Sequence, residues 1–269
     1  MILGVINEKG GTGKSTTTAS LGATLTQMNK KALLIDIDPQ ASLSLSLGFR
    51  DTYPITVNDI FSRRIHMQEP LHPGEGILHH PEGMDILPSS HQLAHTMAQI
   101  GDTIGRESIL RKYLDPIRNR YDHILIDCPP TLSHLTINAM TAAQGIIIPV
   151  EADYLSVQGL QRHLYTIREV QDNLNSALRV EGILITMLDA RSNFAREMTH
   201  RIRMEIGSSI PVFKTAIPKS IKVVEASAAG VSILAHAPMN PVAEAYRQVA
   251  KEIMRGERQR SVRKPNLSR

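Results

Sequence analysis

The sequence predicts an α/β fold in which a single, doubly wound and mostly parallel sheet carries helices on both faces. Short, nearly continuous apolar runs alternate with segments of helical periodicity, a glycine-rich segment follows the first run, and aspartates follow two later runs. Such apolar strands are typical of parallel sheets covered by helices on both faces. Because ligands of these sheets bind beyond the carboxyl ends of the strands, we expect the glycines and the aspartates to lie together at that end of the sheet.

The apolar run at residues 2–6 predicts the first strand, and the pattern at 17–28 predicts the helix that follows the glycine-rich segment. Further apolar runs predict buried strands. They lie at residues 32–35, 123–126, 145–150 and 180–186, with weaker candidates at 84–87, 211–214 and 232–234. Helical patterns lie at residues 133–142, 157–174, 194–206 and 241–254.

Residues 51–83 are less regular and contain four prolines, and we predict that they form a surface excursion inside the domain. Six of the eleven histidines lie in or just beyond this stretch: His66, His72, His79, His80, His91 and His95. A metal site is conceivable, but their spacing fits no ligand motif and no cysteine is near. We therefore predict that they are solvent-exposed loop residues.

Composition restricts the possible functions. The single cysteine, Cys128, excludes a disulfide framework and a thiolate metal cage within one chain, and it indicates a reducing, cytoplasmic setting. No apolar stretch is long enough to span a membrane, and the early glycine-rich segment leaves no room for a signal peptide.

Of the net charge of +4, residues 255–269 carry +5 through six basic residues and one acidic residue, so residues 1–254 carry −1. We predict a domain over residues 1–254 and a flexible basic tail over 255–269.

The glycine-rich segment, Glu8 to Thr16, predicts a phosphate-binding loop. Its glycines let backbone N–H groups converge on an anion, and the N-terminus of the next helix adds a favourable dipole. Lys14 is placed to reach the β- and γ-phosphates, and the Ser15 hydroxyl is placed to ligate Mg²⁺. Glu8 occupies the position of a glycine in the usual pattern, and Lys9 is an additional lysine ahead of the glycines.

Aspartates follow two of the predicted strands. Asp127 ends one strand in the manner of a Walker B acid, where a carboxylate can hold the Mg²⁺ shell through water. Asp38 lies just past a neighbouring strand, two residues after Asp36, where it could position a water for in-line attack on a phosphate. Ser15, Asp38 and Asp127 form the predicted metal site, and the whole arrangement predicts ATP hydrolysis with Mg²⁺.

Three segments resemble the signatures of the ParA/MinD family of deviant Walker ATPases. They are Lys9–Thr16, Leu33–Gln40 and Ile124–Pro130. Residues 135–139, 182–193 and 217–226 resemble the Soj-like branch, which contains chromosomal and short plasmid ParA proteins. The resemblance runs from residue 1 to about residue 253 and implies a P-loop NTPase fold of the deviant Walker A type.

The resemblance implies roles for single residues. Lys9 is implied to reach the partner subunit's phosphates in an ATP-sandwich dimer, and Lys14 to hold those of its own subunit. Asp38 resembles the aspartate whose loss traps the ATP state, and Asp127 the Walker B acid. The implied nucleotide-binding residues are Lys9, Gly10, Gly11, Thr12, Gly13, Lys14, Ser15, Thr16 and Pro218.

The same resemblance implies sequence-independent DNA binding. Arg191 and Lys222 align approximately with basic residues that serve this purpose in Soj-like proteins, and Arg196 could share the task. The alternative, that these are ordinary solvated surface charges, remains open at this point. With only a few such contacts per subunit, DNA affinity would be weak, salt-sensitive and increased by dimerisation.

The implied protein is a ParA-type partitioning ATPase of the cytoplasm and nucleoid. It would form a homodimer with ATP, bind DNA, hydrolyse ATP slowly alone and require a ParB-like activator. A MinD-like membrane ATPase would need an amphipathic C-terminal helix, whereas only Val262 and Leu267 are large apolar residues after Met254. A reductase of the superfamily would need cysteines that ligate a shared cluster, and the only candidate here is Cys128. A synthetase would need a substrate pocket, which the sequence does not identify. Chromosome, plasmid, mobile element and protein assembly are all compatible cargoes.

Overall fold

The computed structural model describes residues 1–50, 52–207 and 209–263. Its strands are β1 (Ile2–Val5), β2 (Ala32–Asp36), β3 (Leu78–His79), β4 (Asp85–Leu87), β5 (His123–Asp127), β6 (Gly145–Glu151) and β7 (Arg179–Thr186). The α-helices are α1 (Lys14–Gln27), α2 (Ser42–Ser46), α3 (Val57–Ile65), α4 (Gln92–Ala98), α5 (Ile109–Leu114), α6 (His134–Ala142), α7 (Tyr154–Asn173), α8 (Asn193–Arg201), α9 (Ile221–Ala229), α10 (Ile233–His236) and α11 (Pro241–Arg263). A π-helical turn, Ile202–Ile206, continues α8.

The strands form one sheet in the order β3-β4-β2-β5-β1-β6-β7, and only the β3–β4 pair is antiparallel. Neighbouring residues on a strand pack into different hydrophobic clusters, as Ile2 and Leu3 do, because successive side chains point to opposite faces. Helices α3, α5 and α7 contribute to one cluster, and α1, α10 and α11 to the other. The predicted α/β fold with a doubly wound, mostly parallel sheet is therefore confirmed.

The sheet register aligns the carboxyl ends that carry the predicted site. Val5, the last residue of β1, and Asp36, the last residue of β2, both pair with Asp127 at the end of β5. The phosphate loop, which follows β1, therefore begins beside the end of β5, the strand that lies between β1 and β2. Strand β6 pairs in parallel with the other side of β1, so its carboxyl end lies at the same end of the sheet.

Two of the weaker strand predictions are wrong. Residues 232–234 begin helix α10, because the Ser232 hydroxyl accepts hydrogen bonds from the Leu234 and Ala235 N–H groups and caps it. Residues 211–214 form no full strand, although they run beside β7. A single parallel bridge joins Val212 to Ile183 there.

The irregular stretch before β4 contributes residues to the hydrophobic core, and it contains a helix that the sequence analysis missed. Helix α3 begins at a capping box in which Asp59 accepts a hydrogen bond from the Thr56 N–H. One histidine prediction is also wrong: His80 is buried, with its ring 5.8 Å from that of Phe49. The other five histidines named above are exposed.

The predicted boundary at residue 254 does not coincide with the end of a structural element. Helix α11 continues to Arg263, and its last part contacts the amino end of the sheet. His123 Nε2 lies 3.0 Å from Glu257 Oε1, and Arg260 forms an ion pair of 2.9 Å with Glu181. These pairings fix residues that resemble a free basic tail in the sequence. Residues 264–269, including the predicted tail charges Lys264 and Arg269, lie outside the described residues.

Candidate functional site

The phosphate loop connects β1 to α1 through two glycines with left-handed backbones. Gly11 has φ of 77° and Gly13 has φ of 82°, a region that side chains rarely adopt. Gly13 is also the N-cap of α1, so the unpaired N–H groups of the first helical turn lie at the loop. The Thr12 carbonyl accepts a hydrogen bond of 2.9 Å from Thr186 Oγ1 at the end of β7, which anchors the loop to the sheet.

The two lysines of the loop have different environments. Lys14 is buried, and its Nζ donates to the Lys9 carbonyl at 3.1 Å. Burial lowers the pKa of Lys14, although the charges of Asp127 and Asp38 oppose this. Lys9 is partly exposed and forms ion pairs with Glu151, at 3.0 Å, and with Asp153.

Burial alone would lower the pKa of Lys9, but its two carboxylate partners outweigh that effect and raise it. Lys14 therefore lies along its own loop, whereas Lys9 is paired with acidic residues at and just after the end of β6. Of the described loop residues, Gly10 and Gly11 are exposed, whereas Ser15 and Thr16 are partly buried.

Asp36 organises the turn that follows β2. It is fully buried and accepts hydrogen bonds from the Ser44 N–H, the Ser44 hydroxyl and the Asp38 N–H at 2.8, 2.7 and 3.1 Å. Burial raises the pKa of Asp36 to about 6. Asp38 is also buried and accepts a hydrogen bond from the Gln40 N–H at 2.9 Å. Asp36 thus holds the chain so that Asp38 stands at the carboxyl end of the sheet.

Asp127 has the features of a metal-binding carboxylate. It is fully buried, and Oδ1 accepts a long hydrogen bond of 3.4 Å from Thr18. Oδ2 is buried and has no hydrogen-bond partner among the described residues. Burial and the charge of Asp36 raise the pKa of Asp127, while Ser15 and Lys14 oppose this. A buried carboxylate oxygen without a partner, beside a serine hydroxyl, fits a hard divalent cation such as Mg²⁺.

The sequence analysis missed two residues that support the loop. His163 of α7 is buried, and its Nε2 accepts a hydrogen bond of 2.7 Å from the Glu8 N–H. Burial lowers the pKa of His163, which favours the neutral ring that this bond requires. Thr186 holds the carbonyl of Thr12, as described above. Neither residue belongs to a local motif. Only their places, in the helix after β6 and at the end of β7, could have indicated that a parallel sheet brings them to the loop.

The predicted DNA-binding residues are exposed, and the segments that carry two of them lie next to the loop. Arg191 is 94% exposed and pairs with Asp189 at 3.4 Å, while Lys222, on α9, pairs with Glu225 at 2.7 Å. Arg196, on α8, is exposed and bonded to Asn193.

Backbone bonds bring these segments together at the carboxyl end of β7. The Lys219 N–H donates to the Leu188 carbonyl at 3.1 Å, and a parallel bridge joins Leu188 to Pro218. The neighbouring Met187 would lie 3.6 Å from a Cβ placed on Gly13. Pro218 and the segments that carry Arg191 and Lys222 therefore meet beside the phosphate loop.

Comparisons with known proteins agree with this geometry. Residues 1–180 match the family described as "AAA domain". The chain is 37% identical to the sporulation initiation inhibitor protein Soj of Bacillus subtilis, over 94% of this chain and 97% of that protein. It is also 37% identical to the chromosome-partitioning ATPase Soj of Thermus thermophilus, over 94% of each chain.

A solved structure is similar over nearly the full length. It is the cobyrinic acid a,c-diamide synthase from Mycobacterium smegmatis with bound ADP and magnesium. The TM-score is 0.81 at 32% identity, and the match covers 96% of this chain and 95% of that one. None of the helices in the described part of the present chain is long and apolar enough to cross a membrane.

Proposed function

The chain belongs to the ParA/MinD family of deviant Walker ATPases, in its Soj-like branch, and from that premise we propose that it partitions DNA as an ATP-dependent dimer. As a ParA-type partitioning ATPase it hydrolyses ATP with Mg²⁺. The single observation that supports the dimer best is the difference between the two loop lysines. Lys14 is buried along its own loop, whereas Lys9 is partly exposed and held by Glu151 and Asp153. We infer that Lys9 exchanges these carboxylates for the phosphates of a second subunit.

In the proposed reaction, Lys14 and the N–H groups of Gly11 to Thr16 hold the phosphates, with Pro218 at the edge of the nucleotide site. Ser15, Asp38 and Asp127 would hold Mg²⁺, which neutralises charge on the phosphates. Asp38 would also orient the attacking water, because the hydrogen bond from its N–H to Asp36 holds it just past the end of β2, where its charge acts on Lys14. Phosphoryl transfer needs little beyond such positioning, and a partner that completes the site would accelerate it.

Light scattering of three variants tests the dimer. With ATP and Mg²⁺, wild type should shift from monomer to dimer, Lys9→Ala should bind ATP but stay monomeric, and Asp38→Ala should remain dimeric because hydrolysis stops. Lys30→Ala is the matched control, since Lys30 pairs with Asp122 at 3.9 Å in a region away from the loop. Dimerisation of Lys9→Ala at wild-type nucleotide concentrations would refute the sandwich arrangement.

We further propose that Arg191, Lys222 and Arg196 contact DNA phosphates. Their exposure and their position beside the phosphate loop support this, because dimerisation there would bring two such surfaces together. Asp189 and Glu225 partly neutralise the patch. The affinity of one subunit should therefore be weak and strongly salt-dependent.

Gel-shift titrations at several salt concentrations test this surface. Arg191→Glu and Lys222→Glu should lose ATP-dependent DNA binding but keep dimerisation, whereas Arg118→Glu, which changes an exposed arginine paired with Asp115, should bind normally. A truncation after Arg263 removes Lys264 and Arg269 but keeps the contacts of Glu257 and Arg260. If only this truncation abolishes binding, the terminal charges are the DNA element and the assignment of Arg191 and Lys222 fails.

A ParB-like activator and an association with the nucleoid in the cytoplasm complete the proposal. The two Soj proteins are more similar to the chain than the synthase is, and this favours partitioning over a synthetase. A MinD-like membrane anchor is not favoured by the end of α11. Val262 is the one exposed large hydrophobic residue there among the described residues, and its neighbours are mostly basic or polar.

A further inference from the structure

A cavity of about 610 Å³ lies between α3, α5 and residues 67–73, which connect α3 towards β3. Its volume lies within the range of roughly 300 to 1,000 Å³ that is typical of small-molecule sites. None of its lining residues belongs to the phosphate loop or to the proposed DNA surface. The cavity therefore has no part in the ATPase chemistry described above.

The inner wall of the cavity is apolar and built on the core. Ile60, Leu71, Ile109 and Tyr113 line it and are each at most 9% exposed. The Tyr113 hydroxyl is already used, since it donates a hydrogen bond of 2.8 Å to the Glu75 carbonyl. What remains is a rigid hydrocarbon and aromatic surface that would favour an apolar body through desolvation.

The rim of the cavity is cationic. Arg63, Arg64 and Lys112 line it, and no aspartate or glutamate is among the lining residues. Within the described ranges, none of the three forms an ion pair with a carboxylate. Arg64 donates to the Ile104 carbonyl at 2.7 Å, and Arg63 donates to the Glu69 carbonyl at 3.4 Å. Most of their donor capacity is thus available to a ligand.

This charge is local, because residues 1–254 carry a net charge of −1. Three cations around an apolar cavity, with no carboxylate lining it, are complementary to one kind of molecule. We propose that the cavity binds a small amphipathic anion, with an aromatic or aliphatic body in the cavity and a carboxylate, sulfonate or phosphate group at the rim. The inner wall supplies affinity for the body, and charge-assisted hydrogen bonds from the rim select the anion.

Two fluorescent probes that differ by one group test the proposal on the full chain. 8-Anilinonaphthalene-1-sulfonate carries the anion, and N-phenyl-1-naphthylamine has the same ring skeleton without it. Wild type should bind the sulfonate at one site, about tenfold more tightly than the neutral probe, as expected for charged hydrogen bonds at the rim. The double variant Arg63→Gln/Lys112→Gln should lose this preference and bind the neutral probe as wild type does.

Arg111→Gln is the matched control, since Arg111 precedes Lys112 on α5 but does not line the cavity and lies 4.0 Å from Asp115. It should leave both affinities unchanged, and saturating ATP with Mg²⁺ should not displace the sulfonate. The single variant Lys112→Gln, which changes an exposed side chain, should show part of the loss with an unchanged thermal melt. Equal binding of the sulfonate by wild type and the double variant would overturn the proposal. Displacement by ATP would do so as well, by assigning the probe to the phosphate loop.

Discussion

The two ends of the sheet use buried charge in opposite ways. At the carboxyl end, Asp36, Asp38 and Asp127 are all buried close together, and one oxygen of Asp127 has no partner among the described residues. At the amino end, His123 pairs with Glu257, and Arg260 pairs with the buried Glu181. A buried carboxylate that keeps its partner costs the fold less stability than one without a partner, and the latter cost is relieved when a ligand binds.

The carboxylates clustered at the carboxyl end lower the stability of the free protein, and they are the groups that a ligand would use. A ligand that binds only the folded state raises the free energy of unfolding, and clustered carboxylates give Mg²⁺ and the nucleotide a large effect of this kind. At the amino end, α11 already supplies partners to His123 and Glu181, although one buried oxygen of Glu181 has no hydrogen-bond partner among the described residues. Substitutions at the two ends should therefore have opposite effects on stability.

The largest expected effect is that of Asp127→Asn. Loss of the carboxylate should reduce ATP turnover by about 100-fold or more, because metal-assisted charge stabilisation is lost. The same change should increase the free energy of unfolding of the nucleotide-free protein by about 2 kcal/mol, since a buried charge is removed. Turnover assays and chemical denaturation measure the two effects. A variant less stable than wild type would show that Asp127 is already paired in the free protein.

Asp36 should give the carboxyl end a characteristic pH dependence. Its pKa is raised by burial from 3.8 to about 6, so its contribution to stability is complete below pH 4 and is lost as pH rises through 6. The difference in unfolding free energy between Asp36→Asn and wild type should therefore shift by about 2 kcal/mol in favour of the variant from pH 4 to pH 7. Denaturation curves at four pH values would reveal this. A difference that does not change with pH would mean that Asp36 is ionised throughout.

The amino end should respond in the opposite direction and more weakly. Burial raises the pKa of Glu181 and the ion pair with Arg260 opposes this, so Arg260→Ala leaves a buried carboxylate without its partner. Because Arg260 is 34% exposed, the expected loss of stability is only about 1–2 kcal/mol. ATP affinity should not change. Arg255→Ala, an exposed arginine on the same helix, is the control, and an equal loss there would argue against the pair.

Much of the carboxyl end was predictable because its chemistry lies in short continuous motifs. The positions of the glycines, Lys14 and Asp127 in the fold could be predicted from local spacing, since a strand, a turn and a helix start specify one local geometry. His163 and Glu151 could not be assigned in this way. They contact the loop from positions more than 140 residues away, so the topology of the sheet, and not local sequence, determines those contacts.

The errors at other positions have similar causes. Residues 232–234 are too short a run to distinguish a strand from a helix, and only the cap at Ser232 decides between them. The end of α11 has the composition of a solvated tail, yet Glu257 and Arg260 find partners on β5 and β7. Charge composition alone cannot reveal a partner that lies far away in the sequence.

The edges of the sheet have a consequence for aggregation. One edge is the two-residue strand β3, and along the other edge residues 211–218 bond to β7 through the Pro211 carbonyl and the Ile217 N–H. Short or covered edges leave few backbone groups for strand addition by another molecule. Copies of this chain therefore have little tendency to join edge to edge into a continuous sheet. Contacts between copies are then left to loops and helices.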